Sequence, residues 1–313
     1  PARAFPAVSD APKWKDVSPR VGVAYDVFGN GRTAVKGSIG RYVQSMGVGI
    51  TEQMNPQLSI GLTATRTWTD ANGNFVPDCD LTPTTGANGE CGALSDRLFG
   101  TVRPSRTFAN DVVNGNQIRP YNVQASVSVQ QELRPGMALN VGYFRTSFGN
   151  FSITDNTLVA PANYDSFCVT APTDARLPGG GGNQLCGLQN VNPSSFGQVN
   201  SVVTQSSNFG DYKQYFNGVD ASVNARFGKG GVFNGGVSFG QNVTDTCDAV
   251  IDAPGLVPSN QTAPGFGLLD AREGFCLNKQ PWLKGGTQLK FNAIYPLPFG
   301  FQAAATVQNL PGI

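Results

Sequence analysis

Between Asn122 and Gln130 the chain alternates residue by residue. Asn122, Gln124, Ser126, Ser128 and Gln130 are polar, and Val123, Ala125, Val127 and Val129 lie between them. After Arg134-Pro135-Gly136 the alternation resumes, with Leu139, Val141 and Tyr143 on one side and Asn140 and Gly142 on the other. A period of two predicts strands with one apolar and one polar face. A Pro-Gly turn between two such strands predicts an antiparallel hairpin. The unit recurs. Arg20 to Phe28 sets Val21, Val23, Tyr25 and Val27 against Gly22, Ala24 and Asp26, turns at Gly29-Asn30-Gly31-Arg32, and returns through Thr33 to Ser45 with Val35, Ile39 and Val43 opposite Lys36, Ser38 and Tyr42. A third hairpin sets Val219, Ala221, Val223, Ala225 and Phe227 against Asp220, Ser222, Asn224 and Arg226, then returns through Phe233, Val237 and Phe239. A fourth sets Leu289, Phe291, Ala293 and Tyr295 against Gln288, Lys290 and Asn292, turns at residues 296–300, and returns through Phe301, Ala303, Ala305 and Val307.

Between the hairpins the chain makes long excursions, at about 46–116, 152–210 and 246–280. Structureless loops beyond about 15 residues are rare inside compact domains. Three of them, all on the same side of the hairpins, are expected of extracellular loops. Short turn, long loop, short turn is the rhythm of an antiparallel transmembrane β-barrel, here about eight strands as four hairpins with short periplasmic turns. The second face decides its solvent. Asp26, Lys36, Asp220, Arg226 and Lys290 sit where a sandwich would put its core, and unpaired charges in a dry core cost several kcal/mol each. A watered lumen accepts them, so Asn122, Gln124, Asp220, Asn224, Arg226, Lys290 and Asn292 are predicted to face it. The rival is a half-exposed secreted sheet with a polar outer face. Aromatics near strand ends (Tyr42, Tyr121, Phe144, Phe148, Tyr212, Tyr215, Phe216, Tyr295, Phe299 and Phe301) are predicted to form girdles at the membrane boundary. Residues 1–16 read as a lead-in loop, and residues 57–68 as a weakly alternating strand.

Composition narrows the picture. Of 313 residues only 14% are charged and the net charge is +1, which gives no electrostatic footprint for a nucleic acid. So little charge suits a surface that faces a lipid bilayer. No stretch approaches the apolar run of about 18 residues that a helical span needs. There is no histidine, which removes the commonest bases of nucleophilic catalysis, and an enzyme is not expected. Gly179-Gly180-Gly181-Gly182 lacks the Lys-Ser/Thr of a phosphate loop and reads as flexible linker. Both ends read as cuts, so residues 1–313 are expected to be part of a larger barrel, without plug or N-terminal domains.

Each excursion holds one pair of cysteines: Cys79 with Cys91, Cys168 with Cys186, and Cys247 with Cys276. Only these pairings are local within every loop, which predicts disulfides in an oxidising compartment. Pairings across loops stay open, because the loops share one side. Asp70, Asn72, Asn74 and Asp78 occupy positions 1, 3, 5 and 9 of a calcium loop, and Asp80 adds a further oxygen. Gly73 at position 4 and the lack of a Glu at 12 depart from an EF-hand. Two readings stand: a weak structural Ca²⁺ site that stiffens the loop, and a polar Asx turn beside a disulfide. No other cofactor is expected.

Residues 18–37 (SPRVGVAYDVFGNGRTAVKG) and the following Ser38-Ile39-Gly40-Arg41-Tyr42-Val43 resemble the barrel of TonB-dependent outer-membrane receptors. They are most similar to the branch carrying a carboxypeptidase-regulatory-like module before the plug, found in Acidobacteria. The resemblance implies a 22-stranded plugged barrel of the class described for outer-membrane transporters, of which this chain would be about a third. It implies active uptake of a metal chelate, oligosaccharide or peptide, with a TonB-type energy-coupling protein as partner through the absent N-terminal part. An adhesion or matrix-secretion barrel and a passive porin are the rival functions, and a soluble lectin-like protein is the outsider.

Overall fold

The computed structural model describes residues 5, 7–8, 12–60, 63–83, 86–96, 99–228, 230–250, 257–258, 276–283 and 286–310. Much of the third excursion and the centre of the third hairpin's turn, Lys229, lie outside them. Eight long strands form the wall: β1 (Arg20–Asp26), β2 (Thr33–Val43), β3 (Tyr121–Arg134), β4 (Met137–Gly149), β5 (Lys213–Phe227), β6 (Gly231–Asp245), β7 (Gln288–Pro296) and β8 (Gln302–Asn309). They lie side by side in chain order, every neighbouring pair antiparallel. These are the four hairpins expected from the alternation. A short strand, Leu277–Lys279, pairs beside β6 at its loop end.

The turns follow local chemistry. In the β1–β2 turn Gly29 and Gly31 take φ of 66° and 74°, and Asp26 Oδ2 accepts a hydrogen bond from the Gly31 amide at 2.7 Å. A side chain with a Cβ pays a steric cost at such angles, which is why glycine stands at both positions.

Cross-strand partners share a face, so the ladder registers sort the wall's side chains. One rung reads Val35, Val129, Val141, Ala221, Val237 and Leu289. The adjacent rung on the other face reads Lys36, Ser128, Gly142, Asp220, Ser238 and Gln288. The apolar face is exposed to an extent that water does not tolerate. Val21, Val23, Tyr25, Ile39, Tyr295 and Val307 are each more than half exposed, and Val127, Val129 and Val141 more than 40%. Soluble monomers rarely show contiguous apolar patches beyond a few hundred Å².

The loop-side edge of this face is stepped. On β2 the last apolar residue before a polar one is Ile39, before Arg41; on β4 it is Tyr143, before Arg145; on β5 Val219, before Asn217; on β8 Val307, before Asn309. From the Ile39 rung to the Val307 rung the edge falls six residues over six interstrand steps. With ~3.4 Å per residue and ~4.8 Å between strands, a level membrane plane cuts this wall at a strand tilt of roughly 35°. The apolar run Val219 to Phe227 on β5 then stands about 22 Å tall, close to the ~25 Å band of outer-membrane barrels.

The buried core lies at the loop end, where Val243 near the end of β6 is the wall's contribution among the described buried apolar residues. Thr107–Phe108, Ser152–Asn156, Ser201–Gln205 and Val257–Pro258 form one four-stranded sheet that draws on all three excursions. Lys13–Lys15 joins Asn114–Asn116 in parallel, so part of the lead-in segment is a strand of this cap. Val112, Val113 and Val203 pack with Ile50, Met54 and Phe108, and Ile153 is fully buried. The helix Gly49–Met54 has no counterpart in the sequence expectation, and among the described residues of 57–68 the strand is Arg66–Trp68, paired with Cys91–Leu94, with Ile60 in a single bridge to Val102. The excursions are therefore folded against one another.

Candidate functional site

All seven residues expected on the second face lie on one face in the ladder. Asn122 shares a rung with Tyr42, Phe148 and Gln214, and Gln124 with Gly40, Thr146 and Phe216. Asp220 pairs with Ser238, which pairs with Gln288. Asn224 pairs with Asn234 and through it Asn292, Arg226 pairs with Val232, and Lys290 with Gly236. Hydrogen bonds run across the face: Lys36 Nζ donates to Gln130 Oε1 at 3.0 Å, Ser38 and Ser126 hydroxyls meet at 2.7 Å, and Asn292 Nδ2 donates to Thr306 Oγ1 at 3.0 Å.

The girdle expectation holds for only part of its set. Tyr121, Tyr215 and Tyr295 lie on the apolar face near its edges. Tyr42, Phe144, Phe148 and Phe216 lie on the polar face, so they do not meet lipid on this wall. Their even position in the alternation puts them there, and proximity to a strand end does not override it. The apolar face carries instead a belt that residue type alone conceals. The Arg41 guanidinium stands 4.1 Å over the Tyr121 ring, and that of Arg145 4.8 Å over Tyr215. Tyr143 Oη and Arg145 Nη1 both donate to Asn217 Oδ1, at 2.8 and 2.9 Å. Cations and tyrosines at an apolar strand's end are what an interface anchors. The missed signal was the polar residue that interrupts each apolar series, an arginine on β2 and β4 and an asparagine on β5 and β8.

In the first excursion Asp70, Asn72, Asn74 and Asp78 come together, and Asp80 does not. Asp70 accepts from the amides of Gly73, Asn74 and Phe75. Asn72 Nδ2 and Asn74 Nδ2 donate to Asp78 Oδ2 at 2.5 and 2.9 Å. Asp80 turns to Thr82, whose amide, then hydroxyl, hold its carboxyl below the ordinary value. The loop's oxygens thus serve its own amides, and among the described residues no three acidic, Cys or His side chains converge on a metal position. Glu90, which the sequence reading passed over, latches the loop. It accepts from Trp68 Nε1 at 3.2 Å and from the amides of Ala71 and Asp78 at 2.8 and 3.2 Å, the indole first among the causes that lower its pKa.

The disulfides join Cys79 to Cys91, Cys168 to Cys186 and Cys247 to Cys276. The glycine run departs from linker behaviour. All four glycines hold positive φ, and a Cβ on Gly181 would stand 1.9 Å from the Pro172 carbonyl oxygen. Gly182 N donates to Ala171 O and Asp174 N to Gly180 O, closing a specified turn beside the Cys168–Cys186 hairpin.

Where the lead-in strand meets the cap, Asp16 pairs with Arg119 at 2.6 Å, its side chain 2% exposed, and Arg119 stands 5.3 Å over the Trp14 ring. Trp14 Nε1 donates to Val112 O at 3.0 Å. Beyond this junction the cap holds an open cavity of about 890 Å³, whose walls include Glu52, Gln53, Arg103, Asn200 and Leu58.

A two-faced wall with a level apolar band is the geometry of a membrane-spanning barrel sheet, and residues 6–310 match the family described as outer membrane beta barrel domain. The chain belongs to that family. It is an all-β, antiparallel outer-membrane barrel domain, which places the protein in the bacterial outer membrane. No curated protein matches the chain.

Proposed function

We propose that this barrel domain is wall and extracellular cap of a receptor for TonB-dependent active uptake of a metal chelate, oligosaccharide or peptide. It is a binding and transport surface, not an enzyme. The resemblance of residues 18–43 to that receptor class suggests the subtype. The observation that carries the reading is the pair of open edges. Among the described residues β1 pairs only with β2 and β8 only with β7, so each leaves a row of backbone groups without a strand partner. In hydrocarbon each unsatisfied group costs several kcal/mol, so both edges are paired in the membrane, and we read that pairing as made with further strands of a larger wall. A barrel of eight would be filled by its own side chains, whereas the charged polar face here suits a lumen wide enough for water and a plug.

The cap also favours a second reading, since a disulfide-pinned surface of folded loops suits an adhesion or matrix-secretion barrel. The coding sequence upstream separates them. A compact plug preceded by a short energy-coupling box supports the receptor. Strands running back to a signal peptide with no plug support the adhesive or passive barrel. Uptake that stops when the proton gradient is collapsed is the functional counterpart.

A further inference from the structure

The loop-side half of the polar face is built differently from the half near the turns. Asp26, Lys36, Asp220, Arg226 and Lys290 lie on its lower rungs. Above them, on three successive rungs of β2 to β6, the side chains are Ser38, Ser126 and Phe144; then Gln124, Thr146, Phe216 and Asn242; then Tyr42, Asn122, Phe148, Gln214 and Thr244. None of these is charged. On β1, Arg20 shares the Gly40 rung, its guanidinium 4.4 Å over the Tyr42 ring.

The rings lie along the wall. A Cβ on Gly142 would meet the Phe144 ring at 2.9 Å, one on Gly218 or Gly240 the Phe216 ring within 2.7 Å, and one on Gly40 the Tyr42 ring at 3.0 Å. Glycine beneath these rings lets them lie against the backbone; Phe144 and Phe216 turn their other face outward, while that of Tyr42 carries Arg20. Covering glycine stabilises a sheet by itself, but that leaves two facts unexplained. Phe144 and Phe148 are 36% and 39% exposed, on a face where no other large apolar residue of the wall is as exposed. The amides between the rings are also uncommitted: among the described residues the side chains of Gln124 and Gln214 make no hydrogen bond, and Asn122 Oδ1, covered by its neighbours, has no donor. Asn122 stands on its rung between Tyr42 and Phe148.

We infer that this tier binds neutral oligosaccharides. A sugar ring has an apolar C–H face, which stacks on an aromatic ring, and a rim of hydroxyls, which are donors and acceptors at once. An amide matches that rim, because it too offers both. Flat rings alternating with uncommitted amides, with Arg20 the single cation and already stacked on Tyr42, fit such a ligand, whereas a metal chelate or an acidic glycan would call on the several cations of the lower rungs. Several rings spread over β2, β4 and β5 suit a chain of sugars that passes from one to the next.

The inference rests on the polar face being a lumen, as proposed above. The test uses the full-length protein in detergent micelles and in vesicles, with maltohexaose, cellohexaose and mannohexaose as probes and a sialylated hexasaccharide as the charged control. Binding is followed by calorimetry, and folding by the heat-dependent gel shift of barrels. Expected is binding of at least one neutral hexasaccharide and not of the charged one. Phe144→Leu and Phe216→Leu, which keep apolar bulk over the glycines, should each weaken it about ten-fold, and Lys290→Gln should leave it unchanged. If gel-shifted protein binds no neutral probe, or both Leu variants bind as wild type does, the inference is overturned. Sugar binding that persists while energy-dependent uptake is absent would leave it standing and overturn the uptake reading. A Leu variant that fails to shift is replaced by Gln124→Leu, which removes an amide without touching a glycine cover and carries the same ten-fold expectation.

Discussion

Val223 and Asn224 are adjacent on β5, at the same depth in the apolar band and on opposite faces. Val223 lies between Leu139 and Gly235, whose next partner is Phe291; Asn224 lies between Ala138 and Asn234. Val223 is the midpoint of the apolar run from Val219 to Phe227, so an arginine there would sit near the middle of the hydrocarbon, at a cost of about 2–4 kcal/mol. Asn224→Arg enters a face that already carries Arg226 and Lys290, and should cost under ~1 kcal/mol, the ordinary range for a watered surface. A difference of ~3 kcal/mol is more than a hundred-fold in the folding constant. The assay is urea-driven unfolding from phospholipid vesicles, scored by the gel shift of the folded barrel. Val223→Arg should move the midpoint strongly to lower urea or prevent insertion, with Asn224→Arg close to wild type. Equal losses from both variants would refute the assignment of faces, and a larger loss at Asn224 would reverse it.

Removing Arg119 strands Asp16, a nearly fully buried carboxylate, so Arg119→Ala should loosen the contact between Lys13–Lys15 and Asn114–Asn116 by about 3–5 kcal/mol, read as lost amide protection in both segments. Reduction of the disulfides, whose partners are 12, 18 and 29 positions apart in sequence, should release about 3 kcal/mol of loop-closure constraint each; cap signals should broaden in NMR spectra while the gel shift of the wall persists. The Glu90 pKa is lowered by the folded loop, so its contribution is present above the ordinary value of ~4.3 and is lost as pH falls through the lower folded value; protection of the Ala71 and Asp78 amides should fall there, and unchanged protection would count against the latch. Gly181→Ala forces a Cβ against the Pro172 carbonyl at a φ of 75° and should disrupt the turn beside the Cys168–Cys186 pair, visible as faster proteolysis of that loop and no change in the wall.

The wall was legible because membrane strands repeat one physical instruction. Every second residue meets lipid, so Val219 to Phe227 declares both its conformation and its face without help from distant parts of the chain. Turns at Gly29–Gly31 and Gly136 are likewise local. The girdle was misread for a reason the ladder exposes. An aromatic near a strand end meets the interface only if its parity agrees, and Tyr42, Phe144, Phe148 and Phe216 share parity with Lys36 and Asp220. Read by parity first, they would have stood out as aromatics on a polar face. The calcium pattern shows a different limit. Oxygens at alternate positions of a turning chain suit an ion, but they suit the turn's own amides equally, and Asp70 and Asp78 are taken up by amide donors.

The cap was illegible for a deeper reason. A single-layer wall has lipid on one side and water on the other, so its strands need little mutual burial beyond their ladder. The residues that are closely buried, Ile153, Phe151, Val113 and Val203, therefore belong to the excursions, where water surrounds the chain and an apolar core must form as in any soluble protein. Such a core is assembled from pieces far apart in sequence. Thr107–Phe108 reaches Ser201–Gln205, and Asp111 Oδ2 accepts from Thr204 Oγ1 at 2.7 Å and Asn208 Nδ2 at 2.8 Å. No short window holds both halves of any of these contacts, so no periodicity announces them. It follows that wall and cap answer to different solvents and should fail separately. Denaturant that dissolves the core around Val113 should leave the ladder of β1 to β8 intact in its bilayer, and a single cooperative loss of both would show that the cap's contacts also hold the wall in place.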